Sequence, residues 1–367
     1  MTSVERAEIR HQLERWRRAG RFEPRCDSWL LGYDEEFSRL LAAHGWIGLT
    51  WEPRYGGHGR GFVDRFVLTE ELLRAGAPVA AHWIADRQIG PAVARWGTEE
   101  LKADVLPRIA AGEARFCLGM SEPEAGSDLA AVRTRAERVP GGWALTGQKV
   151  WSSHAHRATH AYVLARTGGT PTGPARHEGL TEFVLDLDQP GVTVRPIPDL
   201  RGPGHFCEVF LDGAVVPDAW VLGVVGNGWS QVTDQLSFER GGPERVLSTY
   251  PLLRLMLAAA GNGGCGELVA RLTALRALGR QVAARMDAGE APVSAAATLK
   301  LLGNRFEADV IEAARGLTRA EVGAAAWPRF VAMLADAQLS APGFTLRGGT
   351  TEVLGVLVAR AALKEAR

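Results

Sequence analysis

Cysteine is scarce: the 367 residues hold four, at 26, 117, 207 and 265. None forms a C-x-x-C pair or a Cys/His metal spacing. This excludes a small disulfide-stapled fold and a zinc ribbon, and leaves buried or free thiols in a reducing cytoplasm as the expectation. Charge of one sign is not in excess, since Lys plus Arg and Asp plus Glu both number 42. With no basic tract and no basic patch interleaved with aromatics, no nucleic-acid partner is expected. No apolar run approaches the ~20 residues of a membrane span. The first ten residues mix acids and bases without an apolar centre, so neither a membrane nor a secretory signal is expected. His154-Ala155-His156 and His160 lack a nearby acid or Cys partner, so no metal is expected. No internal repeat is present.

What is present is apolar: 46% of the chain is hydrophobic, enough for a large core in two or three domains. Residues 1–114 read as helical, with apolar residues at helical spacing over 7–18, 33–44 and 64–74 and with Asp34 and Asp64 placed to cap. Residues 115–226 change to short β-branched and aromatic runs at 143–145, 161–165, 181–187, 192–196 and 207–211. Gly and Pro separate them, which predicts a small antiparallel barrel or sandwich. Residues 227–367 return to helical spacing over 229–240, 247–260, 267–288, 293–316 and 350–364, as in an antiparallel bundle. The fold class is therefore α+β, with an N-terminal helical domain (1–114), a β-barrel domain (115–226) and a C-terminal helical bundle (227–367).

One stretch organises the rest: Met120-Ser121-Glu122-Pro123-Glu124-Ala125-Gly126-Ser127-Asp128. It joins a Pro-centred turn to small residues that let a ligand approach the backbone, with hydroxyls on both sides. Thr134-Arg135-Ala136 follows, then Gly142-Trp143-Ala144-Leu145-Thr146-Gly147-Gln148-Lys149-Val150-Trp151-Ser152-Ser153. The succession S-E-P-x-A-G-S-D, T-x-A, G-x-x-L-x-G-x-K-x-W-x-S resembles the acyl-CoA dehydrogenase family. Gly48-Leu49-Thr50-Trp51-Glu52-Pro53-Arg54-Tyr55-Gly56-Gly57 is similar to its W-P-x-x-Y-G-G element, with Glu52 inserted. The resemblance covers nearly the whole chain and implies the same order of helices, barrel and helices.

The resemblance implies FAD as cofactor, bound by Leu118, Met120, Ser121, Gly126, Ser127, Trp151 and Ser153, with Thr350 and Glu352 near it. The residue types suit an isoalloxazine, which needs a flat apolar wall and donors at its ring heteroatoms. Trp151 can wall the ring, and the Ser153 hydroxyl can reach N5. The other reading of Trp151 is core packing, in a chain with 11 Trp.

The implied reaction is α,β-dehydrogenation of an acyl thioester, on CoA or an acyl-carrier protein. It needs a base for the Cα proton, a hydride acceptor for Cβ and donors to the thioester oxygen. In much of the family the base is a Glu before a G-T pair near the C-terminus. Here Leu346-Arg347-Gly348-Gly349-Thr350-Thr351-Glu352 puts Gly348 at that place. A minority of the family carries the base as the Glu of an E-R pair on a bundle helix, which here is Glu239-Arg240. Glu239 is thus the expected base. Gly348 leaves room for it and offers a backbone N–H, and Ser127, Phe238, Arg240 and Gly349 are expected around the substrate. Glu352 is the rival carboxylate.

Two family elements that reach a neighbouring subunit's FAD, R-x-x-F-G and Q-x-x-G-G-x-G, are missing. Their places read Arg276-Ala277-Leu278-Gly279-Arg280 and Ala335-Asp336-Ala337-Gln338-Leu339. A homo-oligomer or a heteromer with a related subunit is expected, with an electron-transfer flavoprotein as electron acceptor. The rival readings are a flavin monooxygenase on this fold and a non-catalytic partner subunit. Glu239 counts against the first, and the intact 121–128 loop against the second.

Overall fold

The structure, a computed structural model, describes residues 1, 3–202, 204–260 and 264–365, without the side chains of 3, 4, 234, 236–239, 260 and 365. The chain packs as two compact units: Met1–Asp34, Arg60–Ala80 and Leu236–Arg367 form one, Glu35–Gly59 and Ala81–Gln235 the other.

Among the described residues the second unit is built on eight strands: β1 Phe116–Gly119, β2 Arg135–Val139, β3 Gly142–Lys149, β4 His160–Arg166, β5 Leu180–Asp186, β6 Val192–Pro196, β7 Cys207–Pro217 and β8 Val221–Leu222. They lie in the order β6-β7-β3-β2-β4-β5-β8, with β1 on β4. β1 and β4 run parallel, and β2 meets β4 in parallel at Arg135 and Arg166, so the sheet is mixed rather than wholly antiparallel. Every residue of β4 is buried, as in a strand covered on both faces. β3 instead presents Trp143, Leu145 and Lys149 to the interior while the residues between are more open, the alternation of a half-covered strand. Trp143 meets Phe183 edge-on at 6.0 Å in a core with Leu145, Val163, Leu185 and Val209. Each such aromatic contributes roughly 1.5–3 kcal/mol by burial.

The first unit is helical. It comprises Ser3–Arg18, Phe62–Ala75, Tyr250–Ala260, Gly266–Asp287, Val293–Arg315, Trp327–Phe344 and Thr351–Glu365 among its longer helices. The helix Phe62–Ala75 starts two residues earlier than its apolar spacing suggests, and Asp64 is not its cap. Gly61 holds the cap position with no side-chain bond. The Asp287 carboxylate accepts from Phe62 N at 2.5 Å and Val63 N at 3.1 Å, because the first-turn amides take whichever carboxylate is closest. Asp64 pairs with Arg60 instead, at 2.8 Å. The helix Trp327–Phe344, with Pro328 in its first turn and Pro342 near its end, is not apparent in the sequence pattern. No helix among the described residues is long and apolar enough to cross a membrane.

Candidate active site

The loop after β1 is held from inside. Lys149, at the end of β3, is fully buried, and its ammonium donates to Glu122 Oε1 at 2.8 Å, Leu164 O at 2.7 Å and Met120 O at 3.3 Å. Glu122 in turn accepts the amides of Arg133 at 2.6 Å and Thr134 at 2.9 Å. Burial pushes the Glu122 carboxyl up, but the Lys149 charge, its hydrogen bond and the two amides outweigh this and bring it below the ordinary carboxylate range. Burial lowers the Lys149 ammonium, with Glu122 opposing. Glu122 and Ala125 close the tight turn between them through both backbone bonds, 2.9 and 3.1 Å. The S-E-P-x-A-G sequence therefore folds inward through Glu122 and turns its small residues outward. A Cβ added at Gly126 meets nothing within 4 Å.

The Trp segment is pinned on both sides of its tryptophan. Val150 N donates to Ser121 O at 2.9 Å, and Ser152 exchanges backbone bonds with Cys207 at 3.0 and 3.1 Å. The Ser152 hydroxyl adds a bond to Leu118 O at 2.9 Å. Between these anchors Trp151 sits at φ +62°, a left-handed conformation that costs a bulky residue energy and persists only when the surroundings impose it. The result is an indole that is 56% exposed and meets Phe206 only by its edge, 5.6 Å away at 85°. Core packing does not describe Trp151.

This surface fits a flavin. The exposed indole is a flat apolar wall. The hydroxyls of Ser121, Ser127 and Ser153 have no protein partner among the described residues and are free to face a ligand. Leu118 and Met120 are half-buried beside them. The cysteines play no part as nucleophiles. All four are buried, and burial raises the thiols of Cys26, Cys117, Cys207 and Cys265. Among the described residues no cluster of His, Cys, Asp and Glu is arranged to hold a metal.

The first unit holds the remaining site residues. Phe238 and Glu239 lie on the helix Gly228–Arg240, and their side chains lie outside the described residues. Arg240 is buried and donates from Nε to Gly348 O at 3.2 Å. Gly348 and Gly349 both have positive φ, +69° and +98°, which only glycine adopts freely. A Cβ at Gly349 would lie 3.2 Å from Arg240 Nη2. Thr350 caps the last helix, its hydroxyl accepting Val353 N at 3.3 Å. Glu352 is exposed in the first turn of that helix.

Residues 4–113 match the N-terminal domain of the acyl-CoA dehydrogenases, 117–214 the middle domain and 252–363 the C-terminal domain. The chain belongs to the acyl-CoA dehydrogenase family. With that membership come the family's cofactor, FAD, and its oxidoreductase chemistry on CH–CH bonds, as the sequence implied. The acyl-CoA dehydrogenase IpdE1 of Mycobacterium tuberculosis is 38% identical over 260 residues, which is 68% of this chain and 67% of that one. The chain spans between 40% and 58% of the length of other mycobacterial acyl-CoA dehydrogenases that it matches. Among solved structures, the Tcur3481-Tcur3483 steroid ACAD superposes with a TM-score of 0.80 at 26% identity, covering 99% of this chain and 97% of that one. The ChsE4-ChsE5 complex from Mycobacterium tuberculosis does so with a TM-score of 0.80 at 26% identity, covering 99% and 98%.

Sequence reasoning missed the two residues that hold the dehydrogenase loop, Glu122 and Lys149. Lys149 is the one cation in its motif, but Glu122 shares its own with Glu124 and Asp128, so the sequence did not single out which carboxylate it meets.

Proposed function

We propose that this protein is an FAD-dependent acyl-thioester dehydrogenase that uses Glu239 as its base. The observation that carries the reading is the outward-facing Trp151 beside the free hydroxyls of the 121–127 loop, in a chain that matches all three domains of the family in order. FAD, when bound, supplies the hydride acceptor for Cβ. Ser121, Ser127 and Ser153, with the amides at Leu118, Met120 and Gly126, orient that ring against the Trp151 indole, while Thr350 and Glu352 lie near it. The Glu239 carboxylate takes the Cα proton. The Gly348 N–H donates to the thioester oxygen while negative charge develops there. Gly348, having no side chain, leaves the space that a Glu fills in other members. Phe238, Arg240, Gly349 and Ser127 border the acyl thioester, carried by CoA or an acyl-carrier protein.

Assembly with a related subunit is part of the proposal. Arg276, at the place of the R-x-x-F-G arginine, is paired with Glu70 of its own unit, and that hydrogen bond raises its guanidinium further. It is therefore engaged at home rather than offered to a neighbour's FAD. The ChsE4-ChsE5 structure is a complex of two components, which fits a chain lacking both neighbour-reaching elements. An electron-transfer flavoprotein is the proposed acceptor, and the cytoplasm the proposed location.

The test is anaerobic. Protein reconstituted with FAD, alone and with candidate partner subunits, is mixed with thioesters of graded chain length and branching and with a steroid-bearing acyl-CoA. Bleaching of the flavin absorbance by at least one thioester is expected. A flavin-loaded protein that none of them bleaches contradicts the reading.

A further inference from the structure

The turn that carries Gly348 is held by three cations, Lys300, Arg240 and Arg347, and the most deeply buried of them, Lys300, has no role in the chemistry above. Lys300, on the helix Val293–Arg315, is fully buried, a state lysine almost never adopts without partners. Its ammonium donates to Phe344 O at 3.4 Å and to Gly349 O at 2.9 Å. These carbonyls stand at the two ends of the turn between the last two helices. Arg240 takes the Gly348 carbonyl at 3.2 Å. Arg347 anchors the middle through a bidentate pair with buried Asp27, at 2.6 and 2.7 Å.

Peptide planarity turns these bonds into a statement about the amides. In a trans peptide the N–H points opposite to the C=O. With the Gly348 and Gly349 carbonyls held by Arg240 and Lys300, the amides of Gly349 and Thr350 point away from the cations. Among the described residues nothing accepts from the Gly348 N–H or from either of these two amides. Consecutive glycines at φ +69° and +98° have little conformational preference of their own, so the external bonds decide how the planes lie.

We propose that Lys300 is a positioning residue for the dehydrogenation: by holding the Phe344 and Gly349 carbonyls at the two ends of the turn it fixes the course of the backbone between them and so keeps the Gly348 N–H aimed at the thioester oxygen. The proposal rests on the dehydrogenase reading above. Lys300 does not touch the substrate. It acts on the Gly348 N–H, the donor that meets the charge developing on the oxygen as the Cα proton leaves.

The experiment compares FAD-loaded wild type, Lys300→Met and Lys300→Arg, each with its partner subunit where flavin binding needs one. Four quantities are read: kcat, KM, the rate at which a thioester exchanges its Cα proton in D2O, and bound flavin. Losing one oxyanion donor outright costs ~10² to 10³ in kcat, so misaiming it should cost at least ~10-fold. Lys300→Met should lower kcat and kcat/KM together by that factor, slow Cα exchange equally and keep its flavin. Lys300→Arg should recover most of the rate. If Lys300→Met does not fold, Lys300→Gln carries the same test. A variant that loses thermal stability yet keeps kcat and Cα exchange within about twofold of wild type, measured well below its melting temperature, overturns the proposal. Wild type that neither bleaches nor exchanges overturns the dehydrogenase reading itself. Wild type that does both while Lys300→Met keeps pace overturns the role of Lys300 alone.

Discussion

Lys149 Nζ lies 2.8 Å from Glu122 Oε1, the lysine fully buried and the carboxylate 7% exposed. This ion pair joins the end of β3 to the loop after β1, and the two amides on Glu122 extend the tie to residues 133 and 134. A buried pair of this kind adds little beyond an apolar substitute, but losing one partner is costly because the other charge is stranded.

Lys149→Met should therefore destabilise the protein by about 3–5 kcal/mol and lower its flavin content. Adding Glu122→Gln to it should recover part of that loss, since no charge is then stranded. Urea unfolding of the two variants measures this. A loss below about 1 kcal/mol in Lys149→Met would show that the pair does not hold the loop.

Trp151 should separate stability from cofactor binding. Trp151→Gly removes a bulky side chain from a left-handed residue, so the flavin-free protein should be unchanged or more stable by about 1 kcal/mol. Its flavin should bind at least ~10-fold more weakly, the loss of one aromatic face of about 1.5 kcal/mol. Equal flavin affinity by fluorescence titration would remove Trp151 from the site.

Glu307 gives a pH signature. It is fully buried and accepts Ser248 N at 2.7 Å. Burial pushes its carboxyl up to about 7, against the lowering effects of Arg347 and the Ser248 amide. A carboxyl whose folded pKa lies above its unfolded value binds more protons when folded, so its contribution to stability is full at acidic pH and is lost as pH rises through about 7. Wild type should lose roughly 2–3 kcal/mol of stability from this group between about pH 5 and 8. Glu307→Gln, which keeps the acceptor, should flatten that slope. An unchanged slope in denaturant titrations across this range would mean that Glu307 is ionised in the fold.

The vacated base position makes its own prediction. In a Glu239→Gly background, Gly348→Glu should restore part of the flavin-reduction rate, because a carboxylate returns at the site other members use. No recovery, with flavin retained, would separate residue 348 from the base site.

Much of this was legible in the sequence. The loop 121–128 and the Trp segment are runs of fixed spacing in which glycine, proline and hydroxyl residues each have a local reason, so the segments could be picked out, but not the Glu122–Lys149 pair that holds the loop or the left-handed backbone at Trp151. The long bundle helices and β4 declared themselves through apolar spacing. β2 did not, because Arg135–Val139 buries only Ala136 and a small residue leaves almost no alternation signal. The helix Trp327–Phe344 was hidden by its two prolines, one harmless in the first turn and one tolerated near the end. Pairings distant in sequence were not legible either. Asp287 caps a helix more than two hundred residues before it, and Lys300 reaches carbonyls at 344 and 349. Spacing within one segment carries no trace of such contacts.

The most direct test of the account is rapid-mixing flavin reduction, without oxygen, in FAD-loaded wild type and Glu239→Gln with a thioester that bleaches the wild type. Removing a general base costs ~10² to 10⁴ in rate. Reduction should be at least ~10²-fold slower in Glu239→Gln, with flavin content unchanged. Reduction at the wild-type rate would contradict this and move the search for the base to Glu352.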